Sequence, residues 1–323
     1  MTDVADPPTD SAPPTGPARW TAQWKELYEE VVTSGLCTGC AGCVIACPHD
    51  VLGYDHSSGG YRPFHLEDEL GASDCVHGQK GCTSCTRACP RYQHWETQAD
   101  DHLFARERTE DEVSGIYSDI LLTRASDDHV HELGQDGGLV SAILIWLLEE
   151  DYIDGALVSY LEGDGSSWVA KPGVATTTEE VLASAGSRYT YSANTLAYDE
   201  AMERGLERLA LVGMSCQSSV PPVMWSRKVG KVSKPFLFNI GLLCSKTFDD
   251  SIFEELFEAK YGLTRAMIKK VNIKGKFQIW THDGEYHEVP LKECHAWTRE
   301  GCNHCPDFGA EHADISTGGI GKF

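Results

Sequence analysis

The chain has 323 residues, of which 49 are acidic and 27 are basic, so its formal net charge is −22. This charge excludes nucleic acid as a partner, because phosphates are bound by Lys and Arg. The length accommodates a small module beside one larger domain. The longest apolar run, Gly138 to Leu148, is well short of the roughly 20 residues that span a membrane, so we expect no direct membrane insertion.

Residues 1–19 contain five prolines and no apolar stretch. This composition argues against a signal peptide and predicts a disordered tail. Thirteen cysteines are many for this length, and their spacings are those of metal ligands. We therefore expect metal rather than disulfides, and a reducing cytoplasm.

The next part of the chain divides into three stretches. Residues 20–32 are predicted to form an amphipathic helix, and residues 33–95 are rich in Cys, Gly and Pro without a periodic apolar pattern. Side-chain burial alone cannot organise such a segment. The strongly charged residues 99–112 are predicted to be a linker or a solvated helix. These features indicate a small domain over residues 20–98, a charged linker, and a larger domain over residues 113–323.

From Val113 onward the pattern is α/β. The predicted strands are Ile116 to Thr123, Gly155 to Tyr160, Leu209 to Gly213 and Pro235 to Leu243. The predicted helices are Gly138 to Glu150 and Asp249 to Lys260. An antiparallel pair is predicted for Val271 to Trp280 and Glu285 to Leu291, with Asp283-Gly284 as the turn.

Two cysteine motifs end in Cys-Pro. The first has the spacing Cys-x2-Cys-x2-Cys-x3-Cys and comprises Cys37, Cys40, Cys43 and Cys47. The second runs through Cys75, Cys82, Cys85 and Cys89, and its leading cysteine is displaced, with six residues between Cys75 and Cys82. This is the bacterial two-cluster pattern, in which the fourth cysteine ligates the other cluster. The segment is therefore predicted to be ferredoxin-like with two [4Fe–4S] clusters.

Under this crossed scheme, each cluster borrows one ligand from the other motif. One cluster takes Cys37, Cys40, Cys43 and Cys89. The other takes Cys75, Cys82, Cys85 and Cys47. Zinc, or a single cluster with spare thiols, is the alternative, and the two Cys-Pro endings at matching offsets argue against it.

Five further cysteines lie in the larger domain. Cys302 and Cys305 form a Cys-x2-Cys pair, and Cys216 and Cys244 each follow a predicted strand. Because the ends of neighbouring strands can converge, these four could hold a third cluster. Spacing alone leaves a second interpretation open, since a buried cysteine is often only a small hydrophobic residue.

Residues 113–323 resemble the beta subunit of coenzyme F420-reducing hydrogenase and its dehydrogenase relatives. The resemblance rests on collinear blocks over about two hundred residues. These blocks are Gln135-Asp136-Gly137-Gly138-Leu139-Val140, Ala185-Gly186-Ser187-Arg188-Tyr189-Thr190-Tyr191-Ser192-x-Asn194, Cys216-Gln217, Cys244, Lys274-Gly275-Lys276-Phe277, Gly301-Cys302-x2-Cys305-x-Asp307-Phe308 and Ala313-Asp314-Ile315-Ser316-Thr317-Gly318.

This resemblance implies an α/β (α+β) flavin-binding domain with one FAD, one [4Fe–4S] cluster, and hydride exchange with coenzyme F420. The family's cluster ligands fall on Cys216, Cys244, Cys302 and Cys305, and Cys294 is interpreted as structural. The fused ferredoxin segment is similar to the electron-input subunits of dehydrogenases that oxidise reduced coenzyme F420, and to 7-hydroxymethyl chlorophyll a reductase. The family domain usually extends beyond residue 321, so we expect the C-terminus to be incomplete.

The candidate cofactor residues lie in three blocks. Two glycines before a helix allow backbone N–H groups to approach an anion, although a plain helix start is the alternative. In the second block, Arg188 suits a pyrophosphate and the tyrosines suit ring stacking; a polar surface loop is the alternative. The candidate residues for FAD and coenzyme F420 are Gln135, Asp136, Gly137, Gly138, Ser187, Arg188, Tyr189, Tyr191, Ser192, Asn194, Lys274, Lys276 and Gly318.

Residues 265–276 carry five cations and no acid, namely Arg265, Lys269, Lys270, Lys274 and Lys276. Coenzyme F420 has a phosphate and a glutamate tail, so this basic track could guide it. A solvated helix-to-strand junction is the alternative.

The sequence thus predicts a flavin and iron–sulfur oxidoreductase with three [4Fe–4S] clusters, FAD, and coenzyme F420 as substrate. Its electrons pass to or from a partner subunit or a ferredoxin. One alternative is a reductase of another substrate, and the other is a pure electron-transfer subunit. No side-chain nucleophile or general base is required. His295 and His312 lie near the last cysteines and could donate protons, although lone histidines are more often structural.

Overall fold

The computed structural model describes residues 20–57, 59–67, 71–163 and 166–319. The predicted disordered tail, residues 1–19, lies outside the described residues. None of the helices in the described part of the chain is long and apolar enough to cross a membrane.

The strands of the described residues are β1 (Leu52–Asp55), β2 (Arg62–His65), β3 (Gly155–Leu161), β4 (Ala170–Ala175), β5 (Leu209–Met214), β6 (Phe236–Leu242), β7 (Ile268–Ile273), β8 (Lys276–Thr281), β9 (Tyr286–Pro290) and β10 (Ile315–Thr317). The α-helices are α1 (Trp24–Leu27), α2 (Gly42–Ile45), α3 (Val76–Gln79), α4 (Ser84–Arg87), α5 (Glu96–Phe104), α6 (Asp128–Leu133), α7 (Leu139–Glu149), α8 (Thr178–Ala183), α9 (Ala197–Glu203), α10 (Ser215–Ser218), α11 (Val220–Ser226), α12 (Ala259–Tyr261) and α13 (Leu291–Cys294). Wider π-type turns are Tyr28–Val32 and Phe253–Glu258, and tighter 3-10 turns are Asn194–Leu196, Lys231–Ser233, Arg265–Met267, His295–Trp297 and Glu300–His304.

A five-stranded sheet with the order β10-β6-β5-β3-β4 forms the centre of the larger domain. All neighbouring pairs are parallel except β3 and β4. Strand β5 is a continuous apolar run, and β6 is apolar except for the buried Asn239, as expected of parallel strands with helices on both faces. One face packs on α7 through Leu144 and Leu147, and the other packs on α9 and α11. Three predicted strands, over residues 155–160, 209–213 and 235–243, and the helix over residues 138–150 are confirmed here.

A three-stranded antiparallel sheet, β7-β8-β9, lies beside it and packs on an aromatic core that includes Phe253, Phe257 and Phe277. The prediction of one long strand from Val271 to Trp280 is wrong. The chain reverses at Gly275, whose φ of +73° is a left-handed conformation that glycine adopts without strain. This reversal creates two strands where the apolar pattern indicated one.

The predicted strand from Ile116 to Thr123 is also wrong. The segment has no regular secondary structure, and Ile120, Leu121 and Leu122 are 82%, 77% and 82% exposed. The apolar run favours a strand, but strand formation requires a neighbour with free backbone groups. In the described sheets no strand pairs with this segment.

Residues 99–112 differ from the expected charged linker. Helix α5 packs against α11, with Ala99 buried against Trp95 and Val223. Asp100 is only 1% exposed and accepts hydrogen bonds from Arg108. Asp100 and Arg108 thus join this stretch to the rest of the protein, whereas Asp101, Arg106, Glu107, Glu110 and Asp111 are exposed, as the alternative of a solvated helix predicts for its charged side chains.

Candidate functional site

Two cavities lie within residues 20–95, and the crossed pattern of cysteines appears in both. The first, here called the middle cavity, has a volume of about 320 Å³, and its cysteines are Cys37, Cys40, Cys43 and Cys89. The second, the outer cavity, has a volume of about 300 Å³, and its cysteines are Cys47, Cys75, Cys82 and Cys85. Each cavity thus receives three cysteines from one motif and one from the other.

Local structure explains how the two motifs exchange their fourth cysteine. Helices α2 and α4 pack together, and each contains the third cysteine of its motif, Cys43 in α2 and Cys85 in α4. After each helix the Cys-Pro step directs the chain toward the neighbouring cavity. The residue before α2, Ala41, has a φ of +58°, which gives the tight turn that sets Cys40 and Cys43 around one space.

The third cavity, here called the domain cavity, has a volume of about 320 Å³ and lies at the carboxyl ends of β5 and β6. Met214 and Leu242 are paired in the parallel register, so the residues that follow them emerge side by side. The cysteines around this cavity are Cys216, Cys244, Cys302 and Cys305. Cys294 lies elsewhere, fully buried in the aromatic core beside β9.

Burial governs the acidity of these thiols. It raises the pKa of Cys40, Cys85 and Cys244 to about 12. Without metal the buried side chains favour the neutral thiol, so iron binding must release protons. No group of three or more His, Cys, Asp or Glu side chains among the described residues is arranged to hold a single metal ion.

Unsatisfied polar atoms around the middle cavity fit a charged, sulfur-rich occupant. The Nε atoms of Arg91 and Arg227 and the Oγ1 atom of Thr38 are buried without a hydrogen-bond partner among the described residues. Arg91 and Thr38 line the cavity, and the backbone N–H of Arg91 donates to Cys89 Sγ at 3.4 Å. Four thiols with nearby donors match the environment of an iron–sulfur cluster.

Three candidate flavin residues lie at or beside the wall of the domain cavity. Tyr191 lines that cavity, and its hydroxyl lies 3.8 Å from Cys216 Sγ. Ser192 donates to Asn194 Oδ1 at 2.8 Å, and Asn194 Nδ2 donates to the Val212 carbonyl at 2.8 Å. Because these polar groups are buried and satisfied, they fasten the chain beside Cys216.

Other candidate residues converge at the start of α7. Gln135 Oε1 accepts from the Ser187 backbone N–H at 3.2 Å, and Lys274 Nζ lies 2.8 Å from Asp136 Oδ1. Gly319 also lies close to Asp136, since a Cβ on residue 319 would meet Asp136 Oδ2 at 2.0 Å. The Nε2 atom of Gln135 is buried and has no hydrogen-bond partner among the described residues, which leaves a donor for a polar ligand.

The candidate residues Gly138, Gly318 and Arg188 all make contacts within the protein itself. A Cβ on Gly138 would meet the Val130 carbonyl at 2.4 Å, so packing alone requires glycine there. Gly137 precedes it in the loop, and Gly318 packs on Leu243. Arg188 donates to the carbonyls of Ala185 and Gly186, and burial lowers its pKa to about 10. The hydroxyl of Tyr189 donates to Asn272.

The basic track is partly neutralised by acids from distant parts of the sequence. Arg265 pairs with Asp250 at 2.7 Å and with Glu254 at 2.5 Å. Lys276 pairs with Glu288 across the β8–β9 ladder. Lys269 and Lys270 are exposed on β7. The absence of acids within residues 265–276 therefore overstates the positive charge of the folded surface.

A wider cleft of about 980 Å³ opens beside Cys37, between residues 59–62 and 296–301. Its lining includes Trp297 and Arg299. Cys37 is partly exposed, whereas Cys40, Cys43 and Cys89 are buried. The cleft therefore brings solvent to one side of the middle cavity.

Family models match three parts of the chain. "4Fe-4S dicluster domain" matches residues 36–93. "Coenzyme F420 hydrogenase/dehydrogenase, beta subunit N-term" matches residues 120–198, and the model of the C terminus of the same subunit matches residues 206–323. Coenzyme F420 hydrogenase subunit beta of Methanothermobacter thermautotrophicus is 36% identical over 220 residues, covering 65% of this chain and 75% of that protein. The chain belongs to the coenzyme F420 hydrogenase/dehydrogenase beta-subunit family.

This result confirms the predicted family, the class of oxidoreductase and the N-terminal 4Fe-4S dicluster domain. A chain of the F420-reducing [NiFe] hydrogenase complex from Methanosarcina barkeri is similar in structure, with a TM-score of 0.59 and 32% identity over 66% of this chain and 74% of that one.

Two other relatives match nearly the whole chain. One subunit of the F(420)H(2) dehydrogenase of Methanosarcina mazei is 30% identical over 90% of this chain and 78% of that protein. Coenzyme F420-dependent sulfite reductase of Methanocaldococcus jannaschii is 32% identical over 93% of this chain and 44% of that protein. Matches of this extent must include the N-terminal segment, so the fusion of the two parts is shared with these family members.

Sequence reasoning missed the residues that join the two parts. Arg227, after α11, donates to the carbonyls of Cys89 and Tyr92 at 3.0 and 2.8 Å. Arg299 donates to the carbonyl of Thr38 at 3.0 Å and stacks 3.6 Å above the Tyr191 ring. Neither arginine lies in a recognisable motif. The one feature of the sequence that could have indicated a role is that Arg299 lies close to Cys302 in the chain.

Proposed function

We propose that this chain exchanges a hydride between coenzyme F420 and a bound FAD, and relays single electrons through three [4Fe–4S] clusters to or from a partner protein. The observation that carries the proposal is the set of three cavities of similar volume, each lined by four cysteines. Two of them lie in the dicluster domain and the third lies at the edge of the central sheet.

In this proposal the middle and outer cavities hold the two clusters of the dicluster domain. The domain cavity holds the third, with Cys216, Cys244, Cys302 and Cys305 as ligands. Thr38 lines both the middle and the domain cavity, so these two sites share a wall. The chain of cavities therefore leads from the sheet edge, through the middle cavity, to the outer cavity at the far side.

The residues that would hold FAD are those gathered at the start of α7. The Gln135 amide offers a donor that no described residue uses, and the Ser187 backbone is fixed against it. Lys274, paired with Asp136, adds a cation beside them. Bound FAD would supply the conversion between two-electron and one-electron chemistry, which a cluster cannot perform. The side chains contribute binding and orientation and need not act as acid or base.

The two histidines near the last cysteines have different surroundings. His312 is buried, with Nε2 2.8 Å from Asp100 Oδ1, and its ring packs against Trp95. His295 is exposed. We therefore assign His312 to the support of the domain junction rather than to proton transfer.

The decisive experiment uses the full chain, purified and reconstituted without oxygen. We expect about twelve iron atoms per chain, one FAD, and reoxidation of reduced coenzyme F420 with an artificial one-electron acceptor. A Cys244→Ser variant should lose about four iron atoms and the coupled acceptor reduction.

An iron content near eight in the unmodified chain would contradict the third cluster. Full iron content and bound FAD without any reaction with coenzyme F420 would instead favour a flavin and iron–sulfur reductase of another substrate. Full iron content without FAD would favour a pure electron-transfer subunit.

A further inference from the structure

Three arginines surround the middle cavity, and each reaches it from a different side. Arg91 lines the cavity itself. Arg227 donates to the carbonyls of Cys89 and Thr86, next to one of the cavity's cysteines. Arg299 donates to the carbonyls of Thr38 and Tyr61 on the opposite side. The cavity is thus enclosed by fixed positive charge.

These charges are not neutralised by carboxylates. In the hydrogen bonds of the described residues, all three guanidinium groups donate only to backbone carbonyl oxygens. Arg227 is 6% exposed and Arg299 is 9% exposed. A buried cation without a counter-ion is costly, so an anionic occupant of the cavity would relieve that cost. A cluster held by four thiolates is such an anion, and its negative charge grows on reduction.

The outer cavity has a different electrostatic environment. Among its described lining residues there is neither Arg nor Lys, and the titratable side chains besides cysteine are His49 and His77. The domain cavity is intermediate, since its lining includes one cation, Lys246, and one acid, Asp307. Two of the three arginines also reach the domain cavity, since Arg91 donates to the His304 carbonyl beside Cys305 and Arg299 stacks on Tyr191 in the cavity wall. Among the described residues, the middle cavity is therefore the site that all three arginines approach, and the outer cavity is the site whose lining has no Arg or Lys.

We propose that Arg91, Arg227 and Arg299 make the cluster of the middle cavity the electron sink of the relay, with the highest reduction potential of the three. This inference rests on the proposed function. Fixed positive charge stabilises the added electron and raises the potential. Burial acts in the opposite direction, because removal of water disfavours a more negative cluster.

The charges outweigh burial at the middle cavity for two reasons. The guanidinium groups are themselves largely withdrawn from water, where an effective dielectric constant of about 20 replaces one of about 80. Three of them also act on one cluster.

An electron sink in the middle has a functional consequence. An electron that enters from the domain cavity is held in the middle of the relay and does not return to the flavin side. It leaves through the outer cavity only when a partner of sufficient potential is in contact there. The chain would thus retain one electron between encounters with its partner.

The test is a potentiometric titration of the reconstituted full chain, followed by electron paramagnetic resonance. Cys75→Ser and Cys244→Ser variants assign the signals of the outer and domain clusters. We expect the remaining cluster to be reduced first. In Arg299→Gln and Arg227→Gln variants, the equilibrium share of electrons on the middle cluster should fall at least tenfold, which corresponds to about 59 mV for one electron.

Two further variants separate charge from structure. Arg299→Lys retains the charge but not the paired hydrogen bonds, so the middle cluster should keep most of its potential. Arg208→Gln is the matched control, because Arg208 pairs with Asp151 and Asp154 at the end of β5 opposite to Cys216. This variant should leave all three potentials unchanged.

Reduction of the outer or domain cluster before the middle cluster in the unmodified chain would overturn the inference. Equal shifts in the Gln and Lys variants would also overturn it, since the arginines would then only hold the segment in place. If the unmodified chain lacked the middle cluster, the failure would lie with the proposed function itself.

Discussion

In the dicluster segment, residues 20–95, cysteines are themselves members of the apolar core, whereas aliphatic and aromatic side chains build the core of the α/β domain, residues 113–319. The core of the former combines Trp24 and Leu27 with Cys43, Cys85 and Cys89. The central sheet of the latter is covered by side chains on both faces. One region depends on its ligands for cohesion and the other does not.

Removal of iron should separate the two regions most strongly. With a chelator under anaerobic conditions, backbone amides of residues 36–93 should exchange at least about 100-fold faster, because metal binding supplies much of the folding free energy of such segments. Strands β3, β5 and β6 should keep their protection. Hydrogen exchange with mass spectrometry measures both regions in one sample. Equal loss of protection in both would contradict the comparison.

The crossed arrangement can be tested with two matched cysteines, since Cys47 and Cys89 each end a motif and precede proline. Cys47→Ser should abolish or alter the signal of the outer cluster, and Cys89→Ser that of the middle cluster, because each lines the cavity of the other motif. Electron paramagnetic resonance of the reduced variants distinguishes the signals. The reverse assignment would refute the crossed scheme.

The junction of the two regions includes a buried ionic network. Asp100 is 1% exposed and accepts from Arg108 at 2.7 Å, and Arg108 also pairs with Glu311. Asp100→Ala should destabilise the protein by about 3 kcal/mol, because it removes the buried carboxylate that pairs with both Arg108 and His312. Chemical denaturation of the iron-loaded protein measures this. The matched control is Glu200→Ala, which removes an exposed pair with Arg204 one helical turn away and should have little effect.

This network also has a pH dependence. Burial raises the pKa of Asp100, but the bonds and charges of Arg108 and His312 outweigh it, so the pKa lies below its ordinary value of 3.8. The stabilisation is therefore fully present above that value and is lost as the pH falls through the lowered pKa. In the Asp100→Asn variant, the free energy of unfolding should fall less as the pH is lowered through this range. Denaturation curves at several pH values measure this, and an unchanged fall would mean that another group causes it.

The smallest effects should come from the basic track of the α/β domain. Lys274 lies beside Asp136, among the candidate cofactor residues, whereas Lys276 pairs with Glu288 on the hairpin. Lys274→Ala should raise the KM for coenzyme F420 roughly three- to tenfold and flatten its salt dependence, with kcat near normal. Lys276→Ala should change KM less than about twofold, because Lys276 pairs with Glu288 on the hairpin rather than with the residues gathered at the start of α7. Equal effects of the two variants on KM would support a role of the whole basic track in binding coenzyme F420.

Those features that depend on local spacing could be predicted from the sequence. The motif around Cys37 and its repeat around Cys82 indicated the two cavities, because ligand spacing is a property of consecutive residues. The apolar runs of β5 and β6 indicated the central sheet for the same reason. Convergence of Cys216 and Cys244 also followed, since parallel neighbours end at one edge.

Features that depend on distant partners could not be predicted. The cations at positions 274 and 276 are neutralised by Asp136 and Glu288. Arg227 and Arg299 act through backbone carbonyls that lie 138 and 261 residues away. Every residue type has a backbone carbonyl, so a sequence pattern does not reveal which carbonyls accept these hydrogen bonds.

The contact of Gly301 with the Cys37–Thr38 peptide joins the middle and the domain cavity at one point of the backbone. A Cβ at residue 301 would meet the Cys37 carbonyl oxygen at 2.3 Å, and Thr38 lines both the middle and the domain cavity. Docking of this peptide therefore completes one site and closes the side of another. A side chain at position 301 would therefore displace this peptide and disturb the middle and the domain cavity together.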